Sequence, residues 1–138
     1  MLKAVPDLTI MAFDYGTKRI GVAVGNTVTR LGQPISTIAE PSSDVYFQKI
    51  AVLLKEWCPN RLVVGLPCHP DGAPHEMSIK ARRFGNQLNG RFQIPVDWVD
   101  ERYTSAVLEG DPKMRDNLDA QSAALILEQY FLENNGIH

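Results

Sequence analysis

Leu8-Thr9-Ile10-Met11-Ala12-Phe13-Asp14-Tyr15-Gly16-Thr17-Lys18, followed at once by Ile20-Gly21-Val22-Ala23-Val24, is the stretch whose reading decides the fold. An apolar run this dense predicts a central strand buried on both faces. Asp14 near its end needs a cation, a metal or hydrogen-bond donors to compensate its burial. Gly16 allows a tight turn, and Thr17 and Lys18 place a hydroxyl and an ammonium beside the carboxylate. The second run is joined by so short a link that the two strands, about 8–14 and 20–25, are expected to pair antiparallel.

Working outward, residues 31–38 alternate weakly and are read as a third strand. Pro41-Ser42-Ser43-Asp44 is a helix start; Val45, Ile50, Val52, Leu53, Leu54 and Trp57 give the helical spread, ended by Pro59-Asn60. Leu62-Val63-Val64-Gly65-Leu66 is a further buried strand, and 67–74, with three prolines and Asp71-Gly72, a loop. A helix is expected over 75–89, with Met77, Ala81, Phe84 and Leu88 on one stripe and Asn89-Gly90 ending it. Val96 to Val99 is a short strand running into Asp100-Glu101-Arg102; 103–108 reads as a short helix and 109–117 as a polar loop. A last helix is expected over 118–133, with Asp119, Ala123, Leu127 and Tyr130 on its inward face. A hairpin meander followed by strand–helix alternation predicts a mixed-sheet α/β domain.

The chain has 138 residues, which suits one domain spanning 1–138. With 44% hydrophobic and 22% charged residues it reads as an ordinary globular protein. Cys58 and Cys68, with no secretory leader, suggest reduced thiols in the cytoplasm, and no run of about eighteen apolar residues predicts a membrane span. A net charge of -2 gives no global pull toward nucleic acid, so such binding must come from local clusters such as Lys18-Arg19 or Lys80-Arg82-Arg83.

Three carboxylates stand where chemistry could use them: Asp14 ending the first strand, Glu101 following the last, and Asp119 opening the last helix. Each has a plain structural alternative. Asp14 could simply form the turn, Glu101 could pair with Arg102, and Asp119 could sit in a first turn favoured by the helix dipole. Asp116 and Asn117 are available to cap that helix, which leaves Asp119 for other work. Ligands of open α/β sheets lie beyond the carboxyl ends of parallel strands, which makes Asp14 and Glu101 candidates for one edge. Three convergent carboxylates require a cation, and an oxygen-only set suits Mg²⁺ or Mn²⁺. A pair of such ions would support in-line hydrolysis of a phosphodiester. Cys68-His69 with His75-Glu76 does not have the spacing of a closed zinc site. Trp57, Phe84 and Trp98 are expected in the core, and Lys80-Arg82-Arg83 reads first as a solvated helix face.

Asp14 to Ala23, Val63 to Pro67 with Asp71-Gly72, Asp100-Glu101-Arg102-Tyr103-Thr104-Ser105 and Asp119 to Leu127 together resemble, in order, the motifs of the YqgF-type Holliday-junction resolvases, also described as pre-16S rRNA nucleases. The resemblance covers nearly the whole chain. It implies a ribonuclease H-like fold: a five-stranded mixed sheet with strand 2 antiparallel, flanked by helices. It implies a cytoplasmic metal-dependent nuclease holding Mg²⁺ or Mn²⁺ on Asp14, Glu101 and Asp119, with Asp14 bridging. Lys18, Arg19 and Arg102 become candidates for phosphate contacts. Expected partners are nucleic acid (pre-rRNA or branched DNA) and ribosomal assembly particles, with no membrane. The chain itself is expected to be a monomer or weak homodimer. The short segment before Asp119 sets Glu109, Asp111 and Asp116 against Lys113 and Arg115, a near-neutral balance that would hold a phosphate backbone weakly. Two other readings compete: a nucleic-acid or ribosome-assembly binding module without turnover, and a phosphotransferase of the actin and sugar-kinase type, for which this chain has room for only one of two domains.

Overall fold

The computed structural model describes residues 8–16, 18–39, 42–66, 76–100 and 115–133, with the side chains of 76 and 115–119 set aside. Five strands, β1 (Thr9–Tyr15), β2 (Ile20–Asn26), β3 (Gln33–Ile38), β4 (Arg61–Leu66) and β5 (Val96–Asp100), form one sheet in the order β3-β2-β1-β4-β5. Three helices accompany them: α1 (Ser43–Trp57), α2 (Glu76–Phe92) and α3 (Arg115–Glu133). β1 pairs antiparallel with β2 and parallel with β4, β2 pairs antiparallel with β3, and β4 pairs parallel with β5. β2 alone therefore runs against the rest, as the sequence predicts. β1 lies at the centre because its apolar run can be covered on both sides.

Strand alternation divides the core. Met11 and Phe13 point into a large cluster with α1 and α2, where Phe84 lies against Phe13 (5.6 Å between ring centroids), Phe47 and Tyr46. Ile10 and Ala12 point the other way, into a cluster with Val63, Val99, Ile126, Leu127, Tyr130 and Phe131. The Tyr46 hydroxyl is pushed up to about 12 by burial, with its neighbour Tyr15 acting in the same direction.

Three helix details differ from expectation. In α1 the buried stripe is Tyr46, Phe47, Ile50 and Leu54, while Val52 is 65% exposed. α1 stops where Cys58 turns left-handed (φ 49°) and its N–H bonds the Leu54 carbonyl at 2.8 Å, just before Pro59. α2 does not end at Asn89-Gly90. It continues to Phe92, which packs on the core beside Phe47, and Gln93 takes the left-handed position (φ 60°) instead. Apolar contact by Phe92 thus outweighs the intrinsic cost of a helical glycine, about 1 kcal/mol. α3 begins at Arg115, so Asp116 and Asn117 belong to its first turn rather than to a preceding cap or loop. Asp44 in the first turn and Lys55 in the last turn of α1 suit its dipole. Trp57 and Trp98 are partly buried against the core and Phe84 is fully buried, as expected. The expected loop at 67–74, the helix at 103–108, and Cys68, His69 and His75 lie outside the described residues. Among the described residues, no helix is long and apolar enough to cross a membrane.

Candidate active site

The site is built on the rung structure of β1. Ile10, Ala12 and Asp14 alternate onto the α3 side, and Met11, Phe13 and Tyr15 onto the side of α1 and α2. Asp14 is half-buried and stands opposite Gly21 of β2. The hairpin that follows closes with the Gly16 N–H donating to the Arg19 carbonyl at 2.9 Å. A Cβ on Gly16 would come within 2.8 Å of that same carbonyl oxygen, so the turn requires glycine. Lys18 is exposed on this turn, and Arg19 is half-buried at its end.

β1, β4 and β5 are parallel, so their carboxyl ends share one edge. Phe13 is level with Val64, Gly65 with Val99, and Leu66 with Asp100. Asp14 thus lies level with Val99, with β4 between them, a separation of about 10 Å at the strand spacing. Val99 is buried on the α3 side.

α3 covers that side through small residues. Ala23 packs with Ala123 and Ala124. A Cβ on Gly32 would press on the Ala124 backbone, 2.9 Å from its Cα, and one on Gly25 would meet Leu127 Cδ2 at 3.0 Å. Two polar ties fix the helix further along. The Gly32 N–H donates to Glu128 Oε2 at 2.9 Å, and the Tyr130 hydroxyl donates to Asp97 Oδ2 at 2.7 Å. Asp97 also takes a two-point grip from Arg61, Nε to Oδ2 at 2.9 Å and Nη2 to Oδ1 at 3.1 Å. Burial alone would raise the Asp97 carboxyl, but the hydrogen bonds from Arg61 and Tyr130 and the charge of Arg61 hold it below the ordinary value. The Tyr130 hydroxyl is pushed up to about 12 by burial and by the bond it donates to Asp97.

Sequence reasoning passed over this Asp97–Arg61–Tyr130 group. Its signal was an acid inside a short, half-buried strand, Val96-Asp97-Trp98-Val99, which must find a donor. Of the three candidate carboxylates, Asp14 is described in full. Asp119 is placed as the fifth residue of α3, its side chain set aside, and Glu101 and Arg102 lie outside the described residues. Among the described residues no three His, Cys, Asp or Glu side chains gather into a metal-binding group. Asp14, a half-buried carboxylate at a strand end, is a hard oxygen donor of the kind divalent cations take.

The same fold recurs in proteins solved with Holliday junction DNA. Thermus thermophilus RuvC in complex with a Holliday junction substrate aligns with a TM-score of 0.60 at 12% identity, over 94% of this chain and 96% of that one. Fowlpox virus resolvase, solved with Holliday junction DNA, aligns at 0.51 and 12% identity, over 91% of this chain and 99% of that one. The fold is ribonuclease H-like, a five-stranded mixed sheet with flanking helices, and it is the fold of these resolvase structures. Proteins called "Putative pre-16S rRNA nuclease" resemble the chain far more in sequence. The one from Polynucleobacter necessarius subsp. necessarius (strain STIR1) is 71% identical, covering 94% of this chain and 88% of the relative. That of Paraburkholderia phytofirmans (strain DSM 17436 / LMG 22146 / PsJN) is 53% identical, covering 94% and 91%. The RuvX family model, described as Holliday junction resolvase, matches residues 8–133, and the chain belongs to that family.

Proposed function

We propose that the protein is a divalent-metal-dependent phosphodiesterase that trims the 5′ end of the 16S rRNA precursor. Asp14, Glu101 and Asp119 are its ligand set. The observation that carries this reading is the match between strand rungs and helical turns. Leu127 packs at Gly25, which is paired with Ile10; one turn earlier, Ala123 packs with Ala23, which is paired with Ala12. The next rung is Gly21–Asp14, and the next turn back on α3 is Asp119. Val99, two residues before Glu101, faces the same layer from β5. The relatives' name supplies the substrate.

Bound Mg²⁺ or Mn²⁺ supplies positive charge at the phosphoryl oxygens and acidifies water. The chain's own part is to hold three carboxylates on rigid elements and to present cations to the flanking phosphates, with Lys18, Arg19 and Arg102 in that role. The test is cleavage of a 16S precursor carrying its 5′ extension, with a four-way DNA junction assayed in parallel, each with Mg²⁺, Mn²⁺ or EDTA. The precursor is cut only with metal, and Asp14→Asn loses more than about 100-fold, since displaced ligand geometry alone is worth that much. Undiminished cleavage by Asp14→Asn, or cleavage of the junction with the RNA untouched, contradicts the reading.

A further inference from the structure

The candidate cations Lys18, Arg19 and Arg102 leave the strongest positive surface of the described molecule unused. Residues 77–92 of α2 contain Lys80, Arg82, Arg83 and Arg91 and no acid, in a chain whose net charge is -2. Lys80, Arg82 and Arg83 are exposed, and among the described residues no carboxylate pairs with them. Ile79, Arg82, Arg83, Asn86 and Gln87 line one hollow of about 460 Å³ on this face.

Two features show that this face is held in shape. The Arg82 guanidinium lies over the Trp98 ring, 5.1 Å from its centroid. Gly85, a mid-helix glycine, lets the indole pass beneath: a Cβ there would meet Trp98 Cζ3 at 2.7 Å. A guanidinium stacked on a ring keeps its N–H edge for a planar acceptor and loses little freedom on binding. Arg91 is held likewise, 4.2 Å from the Phe47 centroid.

α2 packs beside the strand that carries Asp14, on the other face of the sheet. Phe84, on the inward side of the same helical turns, stacks on Tyr15 at 4.7 Å between centroids, and Tyr15 directly follows Asp14. Asp14 itself faces the α3 side, so a substrate held there reaches the outer face of α2 only by passing over the carboxyl edge of the sheet. Lys80 and Arg83, one turn apart, are separated by about 5–6 Å at Cβ, close enough to act on one stretch of backbone.

We infer that the outer face of α2, centred on Lys80, Arg82 and Arg83, is a second nucleic-acid contact that grips the phosphate backbone of the substrate beyond the cleavage edge. This rests on the nuclease reading above. Recognition here is of phosphodiester charge and carries no base sequence.

The test is binding of a fluorescein-labelled RNA stem–loop by anisotropy, in EDTA, across a salt series. Wild type, the double variant Lys80→Ala/Arg83→Ala and the control Lys55→Ala on α1 are compared. Both altered α2 residues are exposed and outside the core, so thermal melting stays unchanged. The double variant binds on the order of tenfold more weakly, and its plot of log affinity against log salt is shallower by roughly 1.5–2, the share of two phosphates. Lys55→Ala matches wild type. Wild-type affinity and slope in the double variant overturn the inference, while tight wild-type binding in the same experiment leaves the nuclease reading standing. If wild type binds no RNA, the nuclease reading fails first.

Discussion

The two helical layers of this protein are built on opposite principles. The layer of α1 and α2 is aromatic inside and, on α2, basic outside: Phe13, Tyr46, Phe47 and Phe84 fill it, and α2 carries four cations to one acid. The layer of α3 is small where the helix crosses β2 and acidic in composition: Ala23 meets Ala123 and Ala124 beside a cluster that includes Val63, Ile126, Leu127 and Phe131, and α3 carries four acids to one cation. Large rings tolerate small errors of placement because they fill space in many orientations. Alanine and glycine contacts do not, since backbone meets backbone and any added atom shifts the helix. The rigid, close-packed layer is the one that carries Asp119. The sheet thus separates a layer that packs one helix closely from a layer that carries exposed positive charge.

The contrast is broken most severely by thickening the close-packed layer. Gly32→Ala drives a methyl into the Ala124 backbone, which cannot yield as a flexible side chain would. The expected loss is about 1–3 kcal/mol, together with a shift of α3. Urea unfolding measures the first, and weakened Mn²⁺ affinity reports the second.

A smaller effect sharpens it. Tyr130→Phe removes the bond to Asp97 and costs about 1–2 kcal/mol, leaving Arg61 to hold the carboxylate alone. Its pH dependence has two signs. Tyr130 is raised from 10.0 to about 12, so its contribution is complete below pH 10 and is lost as pH climbs toward 12; the variant lacks this alkaline limb. Asp97 is lowered from 3.8, so its contribution is complete above that value and is lost as pH falls through the lower folded value. Unfolding curves from neutral pH down past 3.8 show that acid limb in wild type, and Asp97→Asn flattens it.

Local signals made much of this legible. The apolar run of β1, the short link to β2 and the Ala123–Leu127–Tyr130 stripe each depend on neighbours in sequence, and each is found as read. Glycine at position 90 was misleading because the helix end is set by Phe92, whose core contact lies outside any local pattern. The β1–β4 and β4–β5 pairings and the Asp97–Arg61–Tyr130 group join residues 33 to 51 positions apart, and no periodicity encodes them. The candidate site is proposed from residue types at element ends. What would join Asp14 to Asp119 is the rung-by-rung contact of small residues between α3 and the sheet, which only the folded chain displays.

That join is the central claim, and Mn²⁺ binding tests it without any substrate. Electron paramagnetic resonance titration of wild type, Asp14→Asn, Glu101→Gln and Asp119→Asn counts free Mn²⁺ directly. The account predicts that each single variant binds Mn²⁺ more than about tenfold more weakly than wild type, and that the pair Asp14→Asn/Asp119→Asn loses less than the sum of its parts, because both hold one site. Wild-type Mn²⁺ affinity in Asp119→Asn, or strictly additive losses in the pair, would contradict it.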